Sequence, residues 1–78
     1  MKKKHSRIGW HSVISIVPFR DSVKQDVKFD GRITEASARS LAKQESIEPG
    51  TRAVYIFKGR GTIGRMVAMY QDGKLTAE

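Results

Sequence analysis

The sequence predicts an α+β fold, one helix packed on an antiparallel sheet of four to five strands in the order β-β-α-β-β(-β). Three observations predict it. A single stretch, from Thr34 to Glu45, has helical spacing. Stretches rich in β-branched and aromatic residues lie on both sides of it. Glycine-containing turns separate the later stretches.

Residues 10–17 alternate and are rich in β-branched residues, which predicts a first strand. Trp10, Ser12, Ile14 and Ile16 share one face, His11, Val13, Ser15 and Val17 the other. Pro18 is expected to end the strand, because proline cannot donate to a ladder. Phe19–Ser22 reads as a turn. Residues 23–29 form a second strand, with Val23, Val27 and Phe29 on one face and Lys24, Asp26 and Lys28 on the other. Asp30-Gly31 has turn chemistry and is expected to close it.

Thr34 is placed to cap a helix with its hydroxyl, and Ile33 and Ala38 suit a hydrophobic staple. Ala38, Leu41, Ala42 and Glu45 follow the i, i+3, i+4, i+7 spacing, a narrow stripe that lets the helix lie close to a sheet. Glu48-Pro49-Gly50 is expected to end the helix. Residues 51–57 and 63–70 read as strands joined by a glycine-rich hairpin at residues 58–62. Asp72-Gly73 is a type I′ turn leading to a short edge strand at residues 74–77. Residues 1–8 read as a basic tail and residues 9–78 as one binding domain.

The chain has 78 residues, enough for one domain with a thin core. It has no cysteine, so thiolate metal sites and disulfides are excluded, and a reducing cytoplasm is the expected location. No stretch approaches the ~20 apolar residues of a membrane helix. The net charge is +7, and it is concentrated. Residues 1–7 and 49–71 carry bases and no acid, whereas residues 21–48 hold five basic and six acidic residues. Two such segments suit a surface that attracts nucleic acid or an acidic protein.

Catalytic chemistry is not evident. His5 and His11 lack a third ligand at metal spacing, and no nucleophile elbow accompanies the serines. No cofactor, metal or small-molecule substrate is expected. Gly59-Arg60-Gly61 is not a phosphate loop of the Walker type, but it can carry Lys58 and Arg60 as a basic fingertip. On the helix, Arg39 and Lys43 sit one turn apart, and Glu35 can pair with Arg39. Ser40, Gln44 and Ser46 add short polar side chains that let a partner approach. Tyr55, Phe57, Tyr70 and Trp10 either fill the core beneath the helix or present stacking faces for unpaired bases. A chain this short needs the burial, so the core is the expected place.

Ala38-Arg39-Ser40-Leu41-Ala42-Lys43-Gln44-Glu45, followed by Gly50-Thr51, resembles the central helix and exit loop of a family of small phage anti-CRISPR proteins, the ninth-named group of type I-F inhibitors. Asp72-Gly73-Lys74 also matches, after a gap of several residues in the hairpin. The similar stretch spans roughly residues 33–74. The resemblance implies one helix on a five-stranded antiparallel sheet. It further implies binding to the backbone subunits of the type I-F CRISPR surveillance complex, which blocks pairing of target DNA with guide RNA. Arg39 matches a basic contact position of that family. Ser40, Gln44 and Ser46 replace a basic residue, a second basic residue and a glutamine, and Lys43 can stand in for a lost charge. The expected partner-binding residues are therefore Arg39, Ser40, Lys43, Gln44 and Ser46 of the helix and Lys58, Arg60 and Arg65 of the hairpin. The alternative is a small basic DNA- or RNA-binding module, and a small enzyme is a distant third.

Overall fold

The computed structural model describes residues 8–59 and 64–78. Its elements are β1 (Ile8–Phe19), β2 (Ser22–Thr34), α1 (Glu35–Glu45), β3 (Ala53–Lys58), β4 (Arg65–Gln71) and β5 (Lys74–Ala77). The five strands form one antiparallel sheet in the order β2-β1-β3-β4-β5. The helix lies across one face of it, so the expected α+β architecture is the observed one. No helix among the described residues is long and apolar enough to cross a membrane. The basic tail expected over residues 1–8 falls outside the described residues except for Ile8, which pairs with Thr34.

The sheet-facing stripe of α1 is what its spacing predicted. Ala38 and Ala42 are fully buried, and they pack with Val13, Val54, Ile56, Ala68 and Tyr70. Thr34 caps the helix: the Ser37 backbone N–H donates to its hydroxyl at 3.1 Å. The helix stops at Glu45 rather than running to Pro49. Ser46 closes it, donating its backbone N–H to Ala42 and its hydroxyl to the Lys43 carbonyl at 2.8 Å. That local bond offers the backbone an exit several residues before the proline acts.

Three strand expectations are corrected, each for a physical reason. Pro18 does not end β1, which continues to Phe19. The Ile16 carbonyl accepts from Arg52 on the β3 side. By alternation the Pro18 nitrogen faces that same side, where β3 pairing has already stopped at Ile16. Its missing N–H therefore leaves no gap in the ladder. Asp30-Gly31 is not a turn but the interior of β2, with Gly31 opposite His11. Twelve registered residue pairs between β1 and β2 outweigh a local turn preference. Finally, Val27 and Phe29 do not share a face. A bulge leaves Lys28 without a partner in register, so Val27 faces Ile14 while Phe29 faces Val13.

The aromatic residues divide between the two faces. Tyr70 lies in the core under the helix, as expected. Tyr55, Phe57 and Trp10 do not. Val54 and Ile56 take the helix side of β3, so alternation puts Tyr55 and Phe57 on the opposite face, half-buried and stacked with centroids 6.1 Å apart. Trp10 lies on that same outer face and donates its indole N–H to Asp30 at 2.6 Å. At the other hairpin, Asp72 and Gly73 both have positive φ, 52° and 77°, as the type I′ turn requires.

Candidate partner-binding surface

The structure sorts the expected contact residues into those that hold the fold together and those that stay on the surface. Arg39 belongs to the first group. Its guanidinium meets Glu35 one turn earlier at 2.9 Å, Glu78 at the end of the chain at 3.0 Å and the Tyr70 hydroxyl at 3.5 Å. Burial by itself lowers the Arg39 pKa, but the hydrogen bonds from Tyr70, Glu35 and Glu78 outweigh it and raise the pKa above the ordinary arginine value. Only 19% of the side chain is exposed. Arg39 thus bolts the helix to β4 and the C-terminus.

Ser46 is also structural. It is buried, and its hydroxyl accepts the Gly73 backbone N–H at 2.8 Å while donating to Lys43. One hydroxyl therefore ties the helix C-terminus to the β4–β5 turn. Ser46→Ala orphans the Gly73 donor, and chemical denaturation should show a loss of about 1–2 kcal/mol with little effect on partner binding.

Ser40, Lys43 and Gln44 stay exposed on the outer side of α1. Ser40 and Gln44 line a shallow depression of about 370 Å³ with Ala36, Ser37 and Leu41. Its short side chains leave room for a partner beside the Lys43 ammonium. Lys58 and Arg65 face one another across β3 and β4, both exposed, at the sheet end where the helix begins. Arg60 lies outside the described residues. Among the described residues, no carboxylate lies within ion-pair distance of Lys43, Lys58 or Arg65. Lys28 is different: it pairs with Asp26 at 3.0 Å and reaches Glu45 of the helix at 3.9 Å. Its hydrogen bond with Asp26, helped by the carboxylate charges, raises its pKa. Whatever this pairing contributes to stability is present below the ordinary lysine value of 10.5 and fades as pH rises through the higher folded value.

One cationic feature was missed in the sequence. The β1–β2 ribbon outruns the sheet by three registered pairs, Val17↔Lys24, Pro18↔Val23 and Phe19↔Ser22. That is about 10 Å of free hairpin. At its tip, Arg20 and Lys24 lie over the exposed Phe19 ring at 5.3 and 5.1 Å from its centroid. Reading Pro18 as a strand end hid this arm, because it split Phe19 from the strand that carries it. The signal available was the alternation itself, which continues through Val17 and Phe19.

Nothing in the described residues assembles a catalytic or metal site. No group of three histidine, aspartate or glutamate side chains is placed to hold a metal ion. His11 is buried, with Nδ1 at 3.1 Å from both the Gly9 and Ile33 carbonyls. Two acceptors on that nitrogen place its proton there, and Nε2 is enclosed without a hydrogen-bond partner. The Ser12 hydroxyl donates to Asp30 at 2.7 Å, away from that imidazole face.

The surface is therefore a set of cations mounted on a rigid scaffold: Lys43 beside the helix depression, the Lys58–Arg65 pair at one end of the sheet, and Arg20 and Lys24 on the arm at the other. No protein-family model, no curated protein and no solved structure matches the chain.

Proposed function

We propose that this protein is a non-catalytic inhibitor of the anti-CRISPR kind. Its cations occupy a path meant for nucleic acid on the backbone subunits of a type I-F CRISPR surveillance complex, so that target DNA does not pair with the guide. The observation that carries this reading is the set of unpaired, exposed cations Lys43, Lys58 and Arg65 on a helix-and-sheet scaffold of the kind the helix resemblance implies. Arg39, which matches a contact position of that family, here sets the helix orientation, and Lys43 carries the charge that faces a partner. Occupation of the groove is steric and electrostatic, and no bond is made or broken. Such an inhibitor works in the cytoplasm of the host cell. The test is co-purification: the tagged protein should retain a purified type I-F surveillance complex after nuclease treatment. Recovery of no complex under those conditions contradicts the proposal.

A second reading, direct binding of DNA or RNA, is favoured by the β1–β2 arm. A two-stranded ribbon fits the major groove of a duplex, and an aromatic ring flanked by two cations suits its phosphate-lined edge. The two readings separate on a gel shift. A direct binder retards bare nucleic acid with a steep salt dependence, whereas the inhibitor requires the protein complex.

A further inference from the structure

The sheet has a second face, which no helix covers. Register and alternation place Ile14, Val27, Tyr55, Phe57, Met66 and Met69 there together, from β1, β2, β3 and β4. Antiparallel sheets with one wet face usually alternate apolar with polar residues. Here β1 and β3 are apolar on both faces: Val13, Val54 and Ile56 lie under the helix, and Ile14, Tyr55 and Phe57 lie opposite. Double-sided apolar strands are the pattern of a sheet covered on both sides. Part of the face remains open: Val27 is 57% exposed and Met66 38%. A depression of about 350 Å³ runs between Ile14, Ile16, Gln25, Tyr55 and Phe57.

We infer that this face pairs with the same face of a second copy of the chain, forming a two-sheet dimer with the helices outermost. Three observations select a second copy. First, the centre of the patch carries no charge, although 29% of the chain is charged. Its charged members, Asp30 and Arg32, sit at the Trp10 end, and Asp30 is engaged by Trp10 and Ser12. Depletion of charge with enrichment in aromatic residues and methionine marks the centre of protein–protein interfaces. Second, two copies with a net charge of +7 repel at most approaches, and this face lets them meet without opposing their cations. A single nucleic-acid strand stacked on Tyr55 and Phe57 needs cations along its phosphate track, and the middle of the face supplies none. Third, the size fits. The apolar part of the sheet spans about 20 by 20 Å, near the lower end of what each partner buries in a stable pair. Aligned sheets cross at about 30°, and a two-fold axis through the Tyr55–Phe57 stack brings each copy's aromatic pair over the other's. The depression beside Tyr55 gives the opposing methionines a recess to fill.

The experiment is sedimentation equilibrium on the full chain over roughly 5–500 µM, at low and high salt. The expected species at the upper concentrations has twice the 8.8 kDa chain mass, and added salt should tighten it by screening the cations. Val27→Lys and Met66→Lys alter exposed side chains, so the fold should be preserved, as circular dichroism will confirm. Each places two like charges across the two-fold interface and should weaken dimerisation ~100-fold. Should either variant unfold, the wild-type concentration series still decides. A wild-type chain that stays monomeric throughout overturns the inference. So does a dimer that survives both lysines, which places the contact elsewhere. A monomer whose Tyr55 and Trp10 fluorescence is quenched by oligothymidylate assigns the face to nucleic acid instead.

Discussion

Arg39→Ala should lower the stability of the fold by about 2–3 kcal/mol while leaving the partner-facing surface in place. A broken buried ion pair costs about 3–5 kcal/mol, because the stranded charge stays desolvated. The fifth of the Arg39 side chain that reaches solvent reduces that figure. What remains is still large, since removal of one guanidinium leaves Glu35, Glu78 and Tyr70 without their shared donor. A domain of this size has a total stability of about 5–15 kcal/mol, so the melting temperature should fall by on the order of 10 °C or more. Arg39→Lys should recover only part of the loss, because an ammonium cannot reproduce the planar fork that serves three acceptors. Lys43→Ala, one turn further along the helix and exposed, should change stability by no more than about 0.5 kcal/mol. If Arg39→Ala kept the wild-type melting temperature but lost partner binding, Arg39 would return to the interface.

The complementary prediction concerns the free cations. Lys43→Glu combined with Lys58→Glu and Arg65→Glu should reduce affinity for the anionic partner at least ~100-fold, with the fold unchanged. Each reversal both removes an attraction and adds a repulsion, and like charges opposed across an interface cost several kcal/mol. The three positions lie on two elements at separate places, so their effects should be close to additive. For the wild type, affinity should fall as salt rises, and the slope should become shallower in the triple variant. Loss of the Arg20 and Lys24 charges should matter less for an inhibitor docked through the helix, but more for direct binding to a duplex through the arm. Arg20→Ala with Lys24→Ala therefore separates the two readings within one set of measurements.

The comparison of these variants shows where the sequence was informative. The helix, its Thr34 cap and its Ala38–Ala42 stripe were legible because they follow from local spacing and hydrogen bonding. So was the Asp72-Gly73 turn, whose backbone demands positive φ at both positions. Features set by sheet pairing were not. Whether Pro18 breaks a strand depends on which neighbour its nitrogen faces, and that depends on where β3 ends. Whether Val27 and Phe29 share a face depends on a bulge at Lys28, which no alternation count can locate. The placement of Tyr55 and Phe57 turned on which face of β3 the helix covers, and Val54 and Ile56 compete for that face on equal terms. The same limit applied to the surface. Arg39 and Lys43 look alike in sequence, yet only Arg39 meets Glu78, which lies thirty-nine positions away in the chain. Ser46, too, reads as a surface residue until the β4–β5 turn arrives to donate to it.

The most direct measurement is a titration of target-DNA binding by a purified type I-F surveillance complex with the wild-type protein and with the triple charge-reversal variant. The wild type should abolish hybridisation at stoichiometric addition, and the equally folded variant should leave it intact. Unchanged hybridisation with the wild type, or equal inhibition by the two proteins, would contradict the account.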